Sequence, residues 1–191
     1  MLTKLSNSLL KFSTGPLTLA CLAIFLIFGA LVLPDQAARA EVYSAEAGSP
    51  DTSLYYTASD LYRMAEAYGP AGRAAYIRAR FTFDLLFPLV YTAFLVTAIS
   101  WLVKRADLPW GTLGRLNLLP VAGMLFDFLE NISAVTVMSR YPQTTAVIDQ
   151  LAGGFTLIKW NLISASFIAL IVLGIIALVR WVRTRQKSSG Q

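Results

Sequence analysis

Residues 15 to 34, GPLTLACLAIFLIFGALVLP, carry no charge, and three further stretches are almost as apolar. About 20 mainly apolar residues make a helix long enough to cross roughly 30 Å of hydrocarbon. The second stretch runs from about 82 to 103 and contains one charge, Asp84; the third, from about 116 to 139, contains Asp127 and Glu130. The fourth, from about 147 to 179, holds Lys159. It is too long for an upright span, which implies tilt or an interfacial first turn containing Asp149. These runs predict an all-α, integral membrane four-helix bundle, one membrane domain over residues 1–191 with an outer loop at 35–81. The composition agrees: 56% of the chain is hydrophobic and 14% charged, against about 25% charged in an ordinary soluble domain.

Composition also removes familiar chemistry. Histidine is absent, so haem axial His, His-ligated zinc and any Ser-His or Cys-His nucleophile pair are excluded. The single cysteine, Cys21, lies in an uncharged apolar run and reads as inert. No cofactor and no metal site are expected.

Lys and Arg set the orientation. Lys4 and Lys11 precede the first span, Lys104, Arg105 and Arg115 lie between the second and third, and Arg180, Arg183, Arg185 and Lys187 follow the fourth. On the other face Arg39, Arg63, Arg73, Arg78, Arg80 and Arg140 are diluted over a long loop and offset by acids. Both termini are therefore expected in the cytoplasm, with membrane lipid, not nucleic acid, as the partner of the basic face. The first span admits a second reading as a cleaved secretory signal, with Ala38-Arg39-Ala40 as an A-x-A-like site before Glu41. Its apolar run exceeds the usual length of about 7–15 residues, which favours a retained helix.

Within the loop, the small and polar segment DQAARAEVYSAEAGSPDTS reads as an irregular linker. TASDLYRMAEAYGP then carries helix signals: Thr57 or Ser59 as cap, Asp60 in the first turn and Gly69-Pro70 as terminator. Leu61, Met64, Ala65 and Tyr68 share one face, as expected of a short interfacial helix that covers the bundle on its outer side or serves there as a substrate-gating lid. A second helix, AGRAAYIRARF, is expected to run straight into the second span.

Charges in hydrocarbon are costly and turn toward protein or a water-filled cavity. Asp127, Glu130 and Asn131 have the spacing i, i+3, i+4 and project from one helical face. With alternate spans running in opposite directions, Asp84, Asp127, Glu130 and Lys159 all fall toward the outer half and converge. Three acids against one lysine call for a protonated acid, a further base such as Arg80, or a bound cation. Pro88 removes the helical hydrogen bond to the Asp84 carbonyl, and Tyr91 shares the face of Asp84 and Pro88. On the fourth span Thr156 precedes Lys159 by one turn, and Gly153-Gly154 would admit a neighbouring helix closely. The sequon Asn131-Ile132-Ser133 lies inside a span and carries no meaning.

At FTFDLLFPLVY, LNLLPVAGMLFDFLEN and FTLIKW the chain resembles a group of small bacterial inner-membrane proteins of unknown function. The resemblance covers roughly residues 55 to 165. It implies a four-helix protein of the bacterial plasma membrane and makes Asp84, Asp127, Glu130, Asn131 and Lys159 the signature positions, without supplying a reaction.

Three functions remain open on these residues. In the first, an outward-facing polar pocket binds a small ligand, ion or lipid headgroup: Asp84, Asp127 and Glu130 are its acidic lining, Tyr91 and Asn131 its hydrogen-bonding groups, and Lys159 a counter-ion. In the second, the charges are a packing salt-bridge network in a structural subunit that pairs with itself or with another membrane subunit. In the third, the chain is a membrane enzyme acting on a lipid-linked substrate.

Overall fold

The computed structural model describes residues 1–44, 47–108 and 113–188, the side chains of 187 and 188 excepted. Lys187 of the basic tail and residues 45–46 of the expected linker thus lie outside the described side chains and residues. Among the described residues eight α-helices follow one another: α1 (Leu2–Phe12), α2 (Gly15–Ile27), α3 (Leu33–Ser44), α4 (Ala58–Ala67), α5 (Gly69–Arg80), α6 (Phe83–Arg105), α7 (Leu119–Arg140) and α8 (Ile148–Ser188). A π-helical turn, Phe28–Val32, joins α2 to α3, and 3-10 turns occur at Pro50–Thr52 and Leu113–Leu118. Among the described residues there is no strand. The fold is an all-α four-helix bundle, and its four long elements are each long and apolar enough to cross a membrane.

Two sequence boundaries are corrected. Residues 35–44 are not linker: the first long helix continues through Pro34 to Ser44. Pro34 has no N–H to donate, and the π-turn just before it has already shifted the pairing, with Leu33 N–H bonding Phe28 O. Helix-forming alanines and the Asp35–Arg39 ion pair at 2.9 Å carry the helix onward. The last helix does not stop near residue 179 but runs on through the basic segment to Ser188. A third element, α1, corresponds to no expected helix.

One end of the bundle is basic. Ser6 of α1 donates to Gly114 O at 3.0 Å, Asn117 Nδ2 donates to Ser6 O at 3.1 Å, and Lys104 Nζ donates to Ser13 O at 2.6 Å. Arg180 of α8 reaches the Ala106 and Asp107 carbonyls at the end of α6. The other end is capped by α4 and α5. Thr57 and Asp60 form a capping box, Thr57 N donating to Asp60 Oδ2 at 3.0 Å and Asp60 N to Thr57 Oγ1 at 3.2 Å. Leu61, Met64, Ala65 and Tyr68 are buried as expected, packed with Tyr76 on Ala134, Val137 and Met138 of α7 and Ala152 of α8. Each large apolar side chain buried there contributes about 1.5–3 kcal/mol. Gly69, at φ 61°, turns the chain between α4 and α5. α5 does not merge with the second span, because a turn at 81–82 separates it from α6. Asp149 is only 7% exposed: it accepts from Gln150 N at 2.8 Å and from Tyr62 Oη at 3.1 Å, tying the start of α8 to α4.

The long helices turn large apolar side chains outward. Leu19 and Leu31 of the first, Leu125 and Ile132 of α7, and Ile168, Ile171 and Leu178 of α8 are all more than half exposed. A belt of this extent would be a liability in water.

Candidate functional site

Helical spacing assembles the polar residues. Asp84, Phe87 and Tyr91 recur along one side of α6, one turn beyond Arg80 at the end of α5; Asp127, Glu130 and Asn131 project from one side of α7; Thr156, Lys159 and Trp160 come from α8. Close approach of α7 and α8 is possible because position 123 is glycine: a Cβ there would lie 3.2 Å from Ile163 Cγ1.

Two linked groups result. In the inner one, Lys159 Nζ contacts Glu130 Oε2 directly and lies 3.7 Å from Asp127 Oδ1. Tyr91 O–H donates to Asp127 Oδ2 at 3.1 Å, and Asn131 Nδ2 donates to Asp127 Oδ1 at 3.5 Å. Five of the six expected site residues, Tyr91, Asp127, Glu130, Asn131 and Lys159, therefore form one connected network. The sixth, Asp84, belongs to the adjacent group: its Oδ2 lies 2.9 Å from Arg80 Nε, and Arg80 also pairs with Asp51. The Arg80 guanidinium stacks 4.4 Å from the Tyr76 ring centroid. Arg80 is the further base that the sequence suggested. Asp51 was not foreseen, since a loop acid 29 residues from its partner leaves no periodic signal.

Beside these groups a cleft of about 1430 Å³ opens among α3, α5, α6 and α8. Its lining is mixed. Arg39, Glu41, Asp51, Arg78, Arg80, Asp84, Asp127 and Lys159 bring charge to it, and Phe25, Leu33, Phe83, Phe87, Ile163 and Phe167 bring apolar surface. Glu130 and Asn131 are not among its lining residues: Glu130 is 1% exposed and sits behind Lys159, toward Tyr56 and Thr156. The cleft thus separates the expected acidic lining into carboxylates that face space, Asp84 and Asp127, and one that is sealed in packing. Trp160 lines the cleft and donates from Nε1 to Ser53 O at 3.0 Å, anchoring the loop above it.

That loop explains Gly153. What approaches this glycine is not a neighbouring helix but the backbone of Tyr56, whose carbonyl oxygen would lie 1.9 Å from an added Cβ. Gly154 faces open space. The loop is held from the other side as well, Tyr68 O–H donating to Gly48 O at 2.7 Å. Burial pushes the Tyr68 phenol up to about 12 and raises that of Tyr56 too.

No protein-family model matches the chain, and neither a curated protein nor a solved structure does. Function is therefore argued from the site alone. Among the described residues no three Asp, Glu, His or Cys side chains are grouped so as to hold a metal ion. The arrangement offers ionic and hydrogen-bonding groups on one wall of a large apolar-sided space.

Proposed function

We propose that this chain is a multi-pass membrane protein that holds an amphiphilic ligand, a lipid or lipid-like molecule, in the cleft. The observation that carries the reading is the mixed lining: charges at Arg80, Asp84, Asp127 and Lys159 border the same space as Phe25, Phe87, Ile163 and Phe167. A small polar solute has no use for the aromatic half, and a hydrocarbon would leave the charged half unpaired. The volume exceeds the roughly 300–1,000 Å³ of a drug-sized site, in keeping with a molecule that has a tail. The cleft is bordered by α3, α5, α6 and α8, and on this reading a ligand already in a bilayer enters it from the side.

The same reading places the basic end, with both termini, in the cytoplasm, following the positive-inside rule. The resemblance to small bacterial proteins supports the inner membrane as the location. Glu130 favours a second role for part of the cluster. Sealed at 1% exposure against Lys159, it acts in packing and register, and it holds the lysine amine where Asp127 can share it.

The test is to fill the cleft. Ala79 lines it without belonging to either ion-pair group. In Ala79→Trp, phospholipid that co-purifies with the wild type in mild detergent should be lost while helical content is kept. Equal lipid retention by the two proteins would refute the reading.

A further inference from the structure

α8 presents two opposite faces. Lys159, Ser166 and Leu173 recur every seven residues and are 4%, 0% and 2% exposed, since they face the bundle. On the far side of the same helix two rows of the same period are exposed. One row is Asn161, Ile168, Ile175 and Val182; the other, offset by three or four residues, is Leu157, Ser164, Ile171 and Leu178. Rows so spaced form one seam, the a and d positions of a heptad. None of these eight residues lines the cleft.

Length argues that lipid tails alone do not cover this side of α8. Exposed apolar side chains on the helix reach from Leu151 to Val182, about 46 Å at a rise of 1.5 Å per residue. The hydrocarbon layer covers about 30 Å, or roughly 39 Å along a helix tilted by about 40°. At the outer end Leu54 and Tyr55 are 69% and 57% exposed, and the Tyr55 ring lies beside Gly153, which widens the apolar surface there. A partner helix of the same length covers what the bilayer leaves.

Asn161 says which helix that is. Leu162 and Ile163 pack on Gly123, inside the third long apolar run, so the amide of Asn161 stands at the depth of the apolar layer. Its Nδ2 donates to Leu157 O at 2.8 Å, whereas its Oδ1 accepts no hydrogen bond among the described residues. A carboxamide carries both a donor and an acceptor, so its natural complement across a two-fold axis is the same carboxamide. Two copies in one membrane share an orientation. Their α8 helices therefore run parallel, and each seam residue meets its own counterpart. β-branched Ile168, Ile175 and Val182 in the a row, with Leu157 and Leu178 in the d row, favour two strands, and one Asn at an a position fixes their alignment.

Resting on the membrane part of the reading above, and not on the cleft ligand, we propose that this face of α8 is a homodimer interface. Its occupant is the α8 of a second copy of this chain, with the two Asn161 side chains hydrogen-bonded to each other across the axis.

The experiment is oxidative cross-linking of the full chain in isolated membranes, with Cys21→Ala as the background. Ser164→Cys and Ile171→Cys, both exposed d-row changes, should each give a disulfide-linked species of twice the monomer mass. Leu125→Cys, 55% exposed on α7, should not. In mild detergent, Asn161→Ala should weaken dimerisation on dilution by about three- to thirtyfold, the range of one interhelical hydrogen bond between membrane helices. No cross-link at positions 164 and 171, or an equal one at 125, would overturn the interface and leave the seam to lipid. A cross-linked mass of one copy plus a different protein would overturn the second-copy assignment. Unchanged dimerisation of Asn161→Ala would overturn the paired amides. A chain that fractionates away from the membranes would sink the membrane reading itself, an outcome separate from a membrane-bound monomer.

Discussion

Lys159→Met is the sharpest perturbation the structure offers. The lysine side chain is 5% exposed, Glu130 1% and Asp127 13%, and the amine is the shared counter-charge of both acids. Methionine matches the length of the lysine stem, so packing along α8 is kept and the loss is electrostatic. Removing one partner of a buried pair costs about 3–5 kcal/mol, because the remaining charge stays desolvated and unpaired. For a chain of this size each kcal/mol moves the melting midpoint by about 2–4 °C, so a drop of roughly 6–20 °C is expected in detergent near neutral pH. The second half of the experiment separates charge from packing. Glu130→Gln in the same chain removes the stranded carboxylate and should return most of the loss, a non-additivity that a double-mutant cycle measures directly. The assay is thermal unfolding of the two single variants and the double variant against the wild type. A Lys159→Met protein as stable as the wild type, or a double variant no better than Lys159→Met alone, would refute the argument that Lys159 and Glu130 are a mutually dependent buried pair.

Gly153→Ala should destabilise by about 1–3 kcal/mol or more, since the new Cβ meets the Tyr56 backbone rather than a yielding side chain; Gly154→Ala, in open space, should be neutral or slightly stabilising by thermal melt. Val147 holds φ 75° just before α8 and is 63% exposed, so Val147→Gly should raise stability by about 1 kcal/mol. No increase in melting temperature on that change would argue against strain there. The Tyr68 phenol ordinarily ionises near 10 and is raised to about 12 by burial, so its stabilising neutral form is fully present below pH 10 and is lost as pH rises through 12. Absorbance of ionised tyrosine should therefore show a late-titrating fraction, to which Tyr56 also contributes, and Tyr68→Phe should shrink it; an unchanged late fraction would refute the assignment to Tyr68.

What could be read from the sequence divides along a physical line. Periodic features were legible: the four long apolar runs, Thr57 as one of two cap candidates with Asp60 in the first turn, the Leu61–Met64–Ala65–Tyr68 face, and the i, i+3, i+4 set on α7 all lie on the helices expected. Spacing placed Tyr91 on the polar face of its span, whereas its hydrogen bond to Asp127 across to α7 emerged only in the structure. Features that depend on a distant partner were not legible. α1 has no long apolar run, and what holds it is Gly114 and Asn117, more than a hundred residues away. Pro34 reads as a stop, yet the π-turn before it absorbs the missing hydrogen bond, and the helix goes on to line the cleft. Asp51 lies in a loop where no spacing marks it.

The resulting site is better understood as two ion-pair groups with different surroundings than as one buried constellation. Lys159 and Glu130 close against Tyr56 and Thr156, and there the charges balance each other locally. Asp51, Arg80 and Asp84 sit where a loop, the end of α5 and the start of α6 meet, and all three line the cleft. The inner group bears a structural reading without difficulty. The outer group lines a space that aromatic side chains also line, and the proposed amphiphile, with a charged head and an apolar body, would use both kinds of lining.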